Sequence, residues 1–155
     1  MPQPDSVHAE TLSRLHDLDR ALAHHAQWLA RLNRQLICGG RATEDDLAPD
    51  AHRRCGLGHW LHHPARPHPE DDPGHAAIEL AHRSMHDIAR HLLMAQAAGQ
   101  PIAPADYDAL VAVAGRVRQL LRRMAQDLMA RLGAVEKLTG VWNRRHFEQV
   151  VAAEI

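Results

Sequence analysis

Apolar residues recur at helical spacing over three long stretches of this chain, and almost nowhere do they alternate as a half-buried strand requires. In the first stretch, from Ser6 to about Ile37, the seam Leu15, Leu18, Leu22, His25, Leu29, Leu32, Leu36 steps by 3, 4, 3, 4, 3, 4. That is the a/d stripe of a packed helix. Cys38-Gly39-Gly40 ends it, because glycine takes the left-handed cap conformation that other residues avoid. A second helix is predicted from about Gly74 to Ala98 on the seam Ile78, His82, Met85, Ala89, Leu92, Gln96, and Gly99-Gln100-Pro101 breaks it. A third starts near Pro104, where a first-turn proline loses no hydrogen bond, and runs through Leu110, Ala114, Val117, Leu121, Met124 and Leu128 to about Leu132. Residues 41–74 are rich in proline and glycine and predict a long connection with one short helix near Arg54–His62. Connections that long inside a compact domain are usually functional. The expected fold is all-α, an antiparallel helical bundle of about four helices, with the short one carrying Cys55.

Composition changes this picture in one respect. Among 155 residues there are 14 histidines but only five aromatics, namely three Trp, one Tyr and one Phe. The formal charge of −1 and the lack of a Lys/Arg run exclude a dedicated nucleic-acid binder. No apolar run approaches a membrane span, and the N-terminus lacks the apolar core of a signal peptide, so a cytoplasmic location is expected. In a reducing compartment the two cysteines read as thiols or metal ligands rather than a disulfide.

Most of the histidines, such as His16, His59, His62, His63 and His68, read as solvated, and His24 lies off its seam. His25 and His82 stand instead where leucine belongs, and a buried imidazole there must find partners for both ring nitrogens. His86 follows His82 by four residues, which presents two imidazoles on one helix face. Cys55 lies in RCGLGHWL, where Gly56 and Gly58 allow a tight path and Leu57, Trp60 and Leu61 can anchor the segment. A thiolate and three imidazoles make a closed tetrahedral zinc site, with Zn–S about 2.3 Å and Zn–N about 2.0–2.1 Å. Cys38, the competing thiol, lacks such anchors and reads as buried or semi-exposed. His52, three residues before Cys55, is the reserve ligand.

These residues resemble a known family. His25-Ala-Gln-Trp28, Cys55-Gly-Leu-Gly-His-Trp60-Leu61 and His82-Arg-Ser-Met-His86 are similar to the H-x-x-W, C-x-[LF]-G-x-W-[LY] and HxxxH pattern of CZB domains, zinc-binding modules of bacterial chemoreceptors and some diguanylate cyclases. The resemblance covers roughly residues 6–132 and implies one zinc per chain on His25, Cys55, His82 and His86. A second resemblance lies near the C-terminus: Glu136-Lys-Leu-Thr-Gly-Val-Trp-Asn-Arg-Arg-His-Phe147 is similar to the D-x-L-T-G-L-x-N-R-R-x-F motif that opens GGDEF domains, with Glu for the usual Asp. Those domains condense two GTP into cyclic di-GMP.

The expected organisation is a CZB-like sensory domain at 1–132, then a linker and the start of a GGDEF domain at 133–155. Neither the GG[DE]EF loop nor a metal-binding carboxylate pair is present, so catalysis and GTP binding would belong to a longer parent enzyme. The resemblance implies a homodimer whose cyclase activity is lowered by bound zinc, and oxidant sensing through the zinc-held Cys55 is a variant of the same site. The alternatives are a structural zinc dimerisation module and a hemerythrin-like di-iron bundle. The latter needs a carboxylate set that Glu79 and Asp87 do not supply. A haem pocket is disfavoured by a chain with one Phe and one Tyr.

Overall fold

The computed structural model describes residues 4–64 and 72–139. It contains three long helices, α1 (Pro4–Cys38), α5 (Pro73–Ala97) and α6 (Pro104–Thr139), and three short ones, α2 (Glu44–Leu47), α3 (Ala51–Arg54) and α4 (Gly56–Leu61). No strand occurs among the described residues, and no helix there is long and apolar enough to cross a membrane. The expected all-α bundle is the observed one.

Three differences from the sequence expectation have physical causes. The connection holds three short helices rather than one, because Thr43 caps α2 by accepting from the Asp46 N–H at 3.1 Å and Cys55 caps α4. Cys55 therefore sits at a helix boundary and not inside the short helix. Helix α6 runs to Thr139, seven residues past the predicted end at Leu132, since a single Gly133 without a following proline does not stop a helix. Beyond Thr139, the remainder of the GGDEF-like motif and the rest of the expected 133–155 segment lie outside the described residues.

The short helices act together as the fourth member of the bundle. Near the top of α1, Trp28 and Arg31 meet Asp46 of α2. Lower down, Gly56 lies against His24. The chain thus descends along α1, climbs again as α5 and descends as α6. Two polar contacts fix the upper end. Gln96 of α5 donates to the carbonyls of Gln35 and Leu36 at 2.8 and 3.1 Å at the end of α1, where Gln35 also accepts the Gly39 N–H at 2.9 Å. Tyr107 of α6 donates to Asn33 at 3.3 Å. At the start of α5, Asp72 accepts from the N–H groups of Gly74 and His75, with Pro73 at the first turn. Gly39 ends α1 with a positive φ of 78°, as its position after Cys38 predicts.

The core is aliphatic: Leu18, Leu57, Leu61, Ile78, Met85, Leu92, Leu93, Leu110, Val117 and Leu121 are fully buried. Along α1 the buried stripe is Leu18, Ala21, His25, Trp28, Leu32, while Leu15, Leu22, Leu29 and Leu36 are only half-buried beside it. The predicted seam is therefore rotated by half its width. The short-helix segment packs on the Trp28 side and draws that side in, which a two-helix seam does not anticipate.

Candidate metal centre

Helix α5 carries His82 and His86 on the side facing α1 and the short helices, and both are buried. Their rings lie 4.7 Å apart, almost perpendicular. Cys55 reaches them from the break between α3 and α4: its Sγ is 3.2 Å from His82 Nε2 and accepts the Gly58 N–H at 3.3 Å. The donor atoms of Cys55, His82 and His86 lie within 4.8 Å of one another. His25 of α1 is the neighbour of this trio, its ring centroid 5.5 Å from that of His82, but its nitrogens are not within that distance of all three.

The tight approach of Cys55 depends on the glycines that follow it. A Cβ on Gly58 would stand 2.0 Å from the His52 carbonyl oxygen and 2.8 Å from Arg53 Cα, so α3 and α4 can close on each other only there without a side chain. Gly56 similarly clears His24. Leu57 and Leu61 are fully buried and Trp60 stacks on His75 with centroids 5.9 Å apart, which pins the segment onto α5.

The electrostatics suit metal ligation. Burial, with the neighbouring imidazoles adding to it for His82 and His86, lowers the pKa of His25 to about 4, of His86 to about 3 and of His82 to about 2. All three therefore keep a free lone pair at neutral pH. Burial pushes the Cys55 thiol up, against the pull of the Gly58 and Leu57 N–H groups, so without a cation the sulfur is protonated. His25 Nε2, His86 Nε2 and His82 Nδ1 are fully buried with no hydrogen-bond partner. Each such atom costs about 1–3 kcal/mol unless something satisfies it, and a thiophilic, imidazole-binding cation would do so for the first two. The donor set fits zinc.

Trp28 and Asp46 frame the site. The Trp28 ring lies 4.2 Å from that of His86, and its indole Nε1 donates to Asp46 at 2.8 Å. Asp46 also accepts from Thr43 at 2.7 Å and pairs with Arg31 at 3.3 Å. This network ties α2 to α1 above the ligands. Sequence reading missed Asp46, which lies in a stretch that looks like plain loop; the Thr43-x-x-Asp46 spacing of a helix start was the available signal.

The other histidines divide differently from the sequence expectation. His16, His24, His59 and His63 are exposed as expected, and His68 lies outside the described residues. His62, read as solvated, is instead half-buried and 3.1 Å from Glu79, because Leu61 anchors the end of α4 against α5. His52 and His75 are buried as well. Cys38, expected to be buried or semi-exposed, is exposed, since the cap glycines carry the chain away from the bundle.

The half-buried Cys55 thiol and the buried imidazoles of His82 and His86 form a donor group able to hold a metal ion within an all-α bundle. Residues 25–93 match the family model described as the chemoreceptor zinc-binding domain, CZB, a span that begins on His25 and takes in Cys55, His82 and His86. The matched family is described as a zinc-binding one of chemoreceptors, and the chain supplies Cys/His groups able to hold the ion. No curated protein and no solved structure matches the chain.

Proposed function

We propose that this chain is the zinc-sensing regulatory domain of a diguanylate cyclase, holding one zinc on His25, Cys55, His82 and His86. The observation that carries the reading is the convergence of Cys55 Sγ, His82 and His86 within 4.8 Å beside the unpartnered, buried His25 Nε2. Bound zinc supplies a Lewis-acidic centre that keeps the thiol deprotonated and the imidazoles in one cluster. His82 and His86 offer nitrogens that carry no proton to displace, and Cys55 gives up its proton with the Gly58 N–H stabilising the thiolate. His25 links α1 to that cluster. A shift of α1 and the Cys55 segment relative to α5 then passes to α6, which packs on both long helices and leads towards the GGDEF-like motif. Such a regulator needs two arrangements of the bundle with different zinc affinity, and a coupling of about 1–3 kcal/mol is typical.

The functional unit in this reading is a homodimer, since two GTP-loaded sites must meet. The half-buried Leu22 and Leu29 of α1 and the exposed Val111 of α6 offer a face for the second copy. Loss of the metal through oxidation of Cys55 is the redox form of the same response.

Metal analysis tests the ligand set. The purified chain should carry about one tightly held zinc, and Cys55→Ala and His82→Ala far less. Retention of zinc by Cys55→Ala at the parent's affinity would overturn the assignment. For the cyclase role, cyclic di-GMP synthesis by the full parent chain should fall as free zinc rises, and a zinc-independent rate would refute it.

A further inference from the structure

A second group of donor atoms lies one turn along from the Cys55 centre. His52 of α3, His62 at the end of α4 and Glu79 of α5 bring their ligand atoms within 4.8 Å of one another. His52 Nε2 is 3.3 Å from Glu79 Oε1, and His62 Nε2 is 3.1 Å from Glu79 Oε2. Both separations are close to the ligand–ligand edge around a tetrahedral ion, about 3.3 Å for bonds of about 2.0–2.1 Å, with the carboxylate turning a different oxygen to each imidazole. His62 Nε2 and Glu79 Oε2 are fully buried and face each other, yet neither has a hydrogen bond, and His52 is itself 6% exposed. Convergent, buried donors that meet only one another, at ion-pair distance and without a hydrogen bond at His62 Nε2 or Glu79 Oε2, are what a cation cage looks like before the cation is counted.

We propose that His52, His62 and Glu79 form a second divalent-metal site beside the Cys55 centre. Two imidazoles and one carboxylate select a borderline ion such as zinc, cobalt(II) or nickel(II) over magnesium or calcium. Three protein ligands leave a fourth position for water, so this site is open where a site of one thiolate and three imidazoles is closed. The two are physically coupled: His52 precedes Cys55 by three residues, Glu79 precedes His82 by three, and the His52 and His82 rings are 6.5 Å apart. The second site draws on none of the four residues assigned to the first.

Cobalt(II) titration of the metal-free full chain tests it, because a thiolate ligand gives a charge-transfer band that an imidazole-carboxylate site lacks. The parent should take up two equivalents, the first with the thiolate band and the second without. Glu79→Gln and His62→Ala should keep the first equivalent and its band while the affinity for the second falls at least about ten-fold. Glu79→Gln preserves side-chain volume, and His62 is half-exposed at a helix end, so helicity measured alongside should match the parent. Saturation of the parent at one equivalent that carries the thiolate band, or loss of that band in Glu79→Gln, would overturn the second site. Absence of any thiolate band in the parent would instead refute the Cys55 centre, and a band-free equivalent that Glu79→Gln removes would then support the second site by itself.

Discussion

Asp46 is the residue on which the framing of the site turns. Burial raises its pKa, but hydrogen bonds from Thr43 and Trp28, then the Arg31 charge, outweigh this and hold the carboxyl below its usual range. A folded pKa below the unfolded value near 3.8 contributes stability that is present above that value and lost as pH falls through the folded one. Asp46→Ala leaves the Trp28 indole N–H buried without its acceptor, at a cost of about 1–3 kcal/mol, readable as a lower urea midpoint at pH 7. The same variant should flatten the acid limb of the stability profile, and an unchanged limb would remove Asp46 from the account. Proton release upon zinc binding is the second residue-scale test. Unfolded histidines would compete with zinc through pH 6.5, but burial keeps His25, His82 and His86 neutral well below that, leaving only the Cys55 proton to displace. Log affinity should thus rise by about one per pH unit between pH 6 and 8, and calorimetry in buffers of different ionisation heat should count about one proton. A count near three at pH 6, where imidazoles of ordinary pKa near 6.5 are mostly protonated, would show that the metal-free site does not hold its imidazoles dry.

At the scale of elements, the three long helices were legible because heptad spacing and cap residues act locally, and Leu110, Val117 and Leu121 are buried where their seam puts them. His25 and His82 were legible for the same reason: a polar residue at a leucine position is visible in one dimension. What was hidden is tertiary. The rotation of α1 towards Trp28, the burial of His52 and the pairing of His62 with Glu79 all follow from how α2, α3 and α4 lie against α1 and α5. No periodicity encodes that in segments of four to six residues. The CGLG turn could be read as tight, but not that Gly58 lies in contact with the His52 carbonyl. Gly58→Ala is therefore predicted to force α3 from α4 and displace Cys55 from His82, destabilising the chain by about 1–3 kcal/mol or more and lowering zinc affinity. Thermal unfolding with and without zinc measures both. A Gly58→Ala chain with the parent's stability would mean that the α3–α4 contact is looser than its geometry.

Across the whole molecule, the metal centre and the main core are separable, and this decides between a sensor and a structural zinc module. The core that α5 and α6 share is aliphatic, with Ile78, Met85 and Leu92 of α5 and Leu110, Val117 and Leu121 of α6 in one buried cluster. The Cys55 segment has its own anchors in Leu57, Trp60 and Leu61, and the Asp46 network holds α2. A ligand present at a thousand times its Kd stabilises the folded state by about 4 kcal/mol, so stripping the metal should lower the unfolding midpoint by a corresponding amount. The long helices should nevertheless remain, since their burial does not depend on the centre. Amide exchange should then quicken mainly over residues 44–61, where short helices rely on the centre to join α1 to α5, and change little along the α5–α6 contact. Far-ultraviolet circular dichroism of the chelated chain at 25 °C is the companion measurement. Preserved helicity with localised exchange is the behaviour of a domain that can release zinc and report it. Collapse of the helical signal on chelation would make the metal a condition of folding, and the structural dimerisation module would then be the better account of the same four residues.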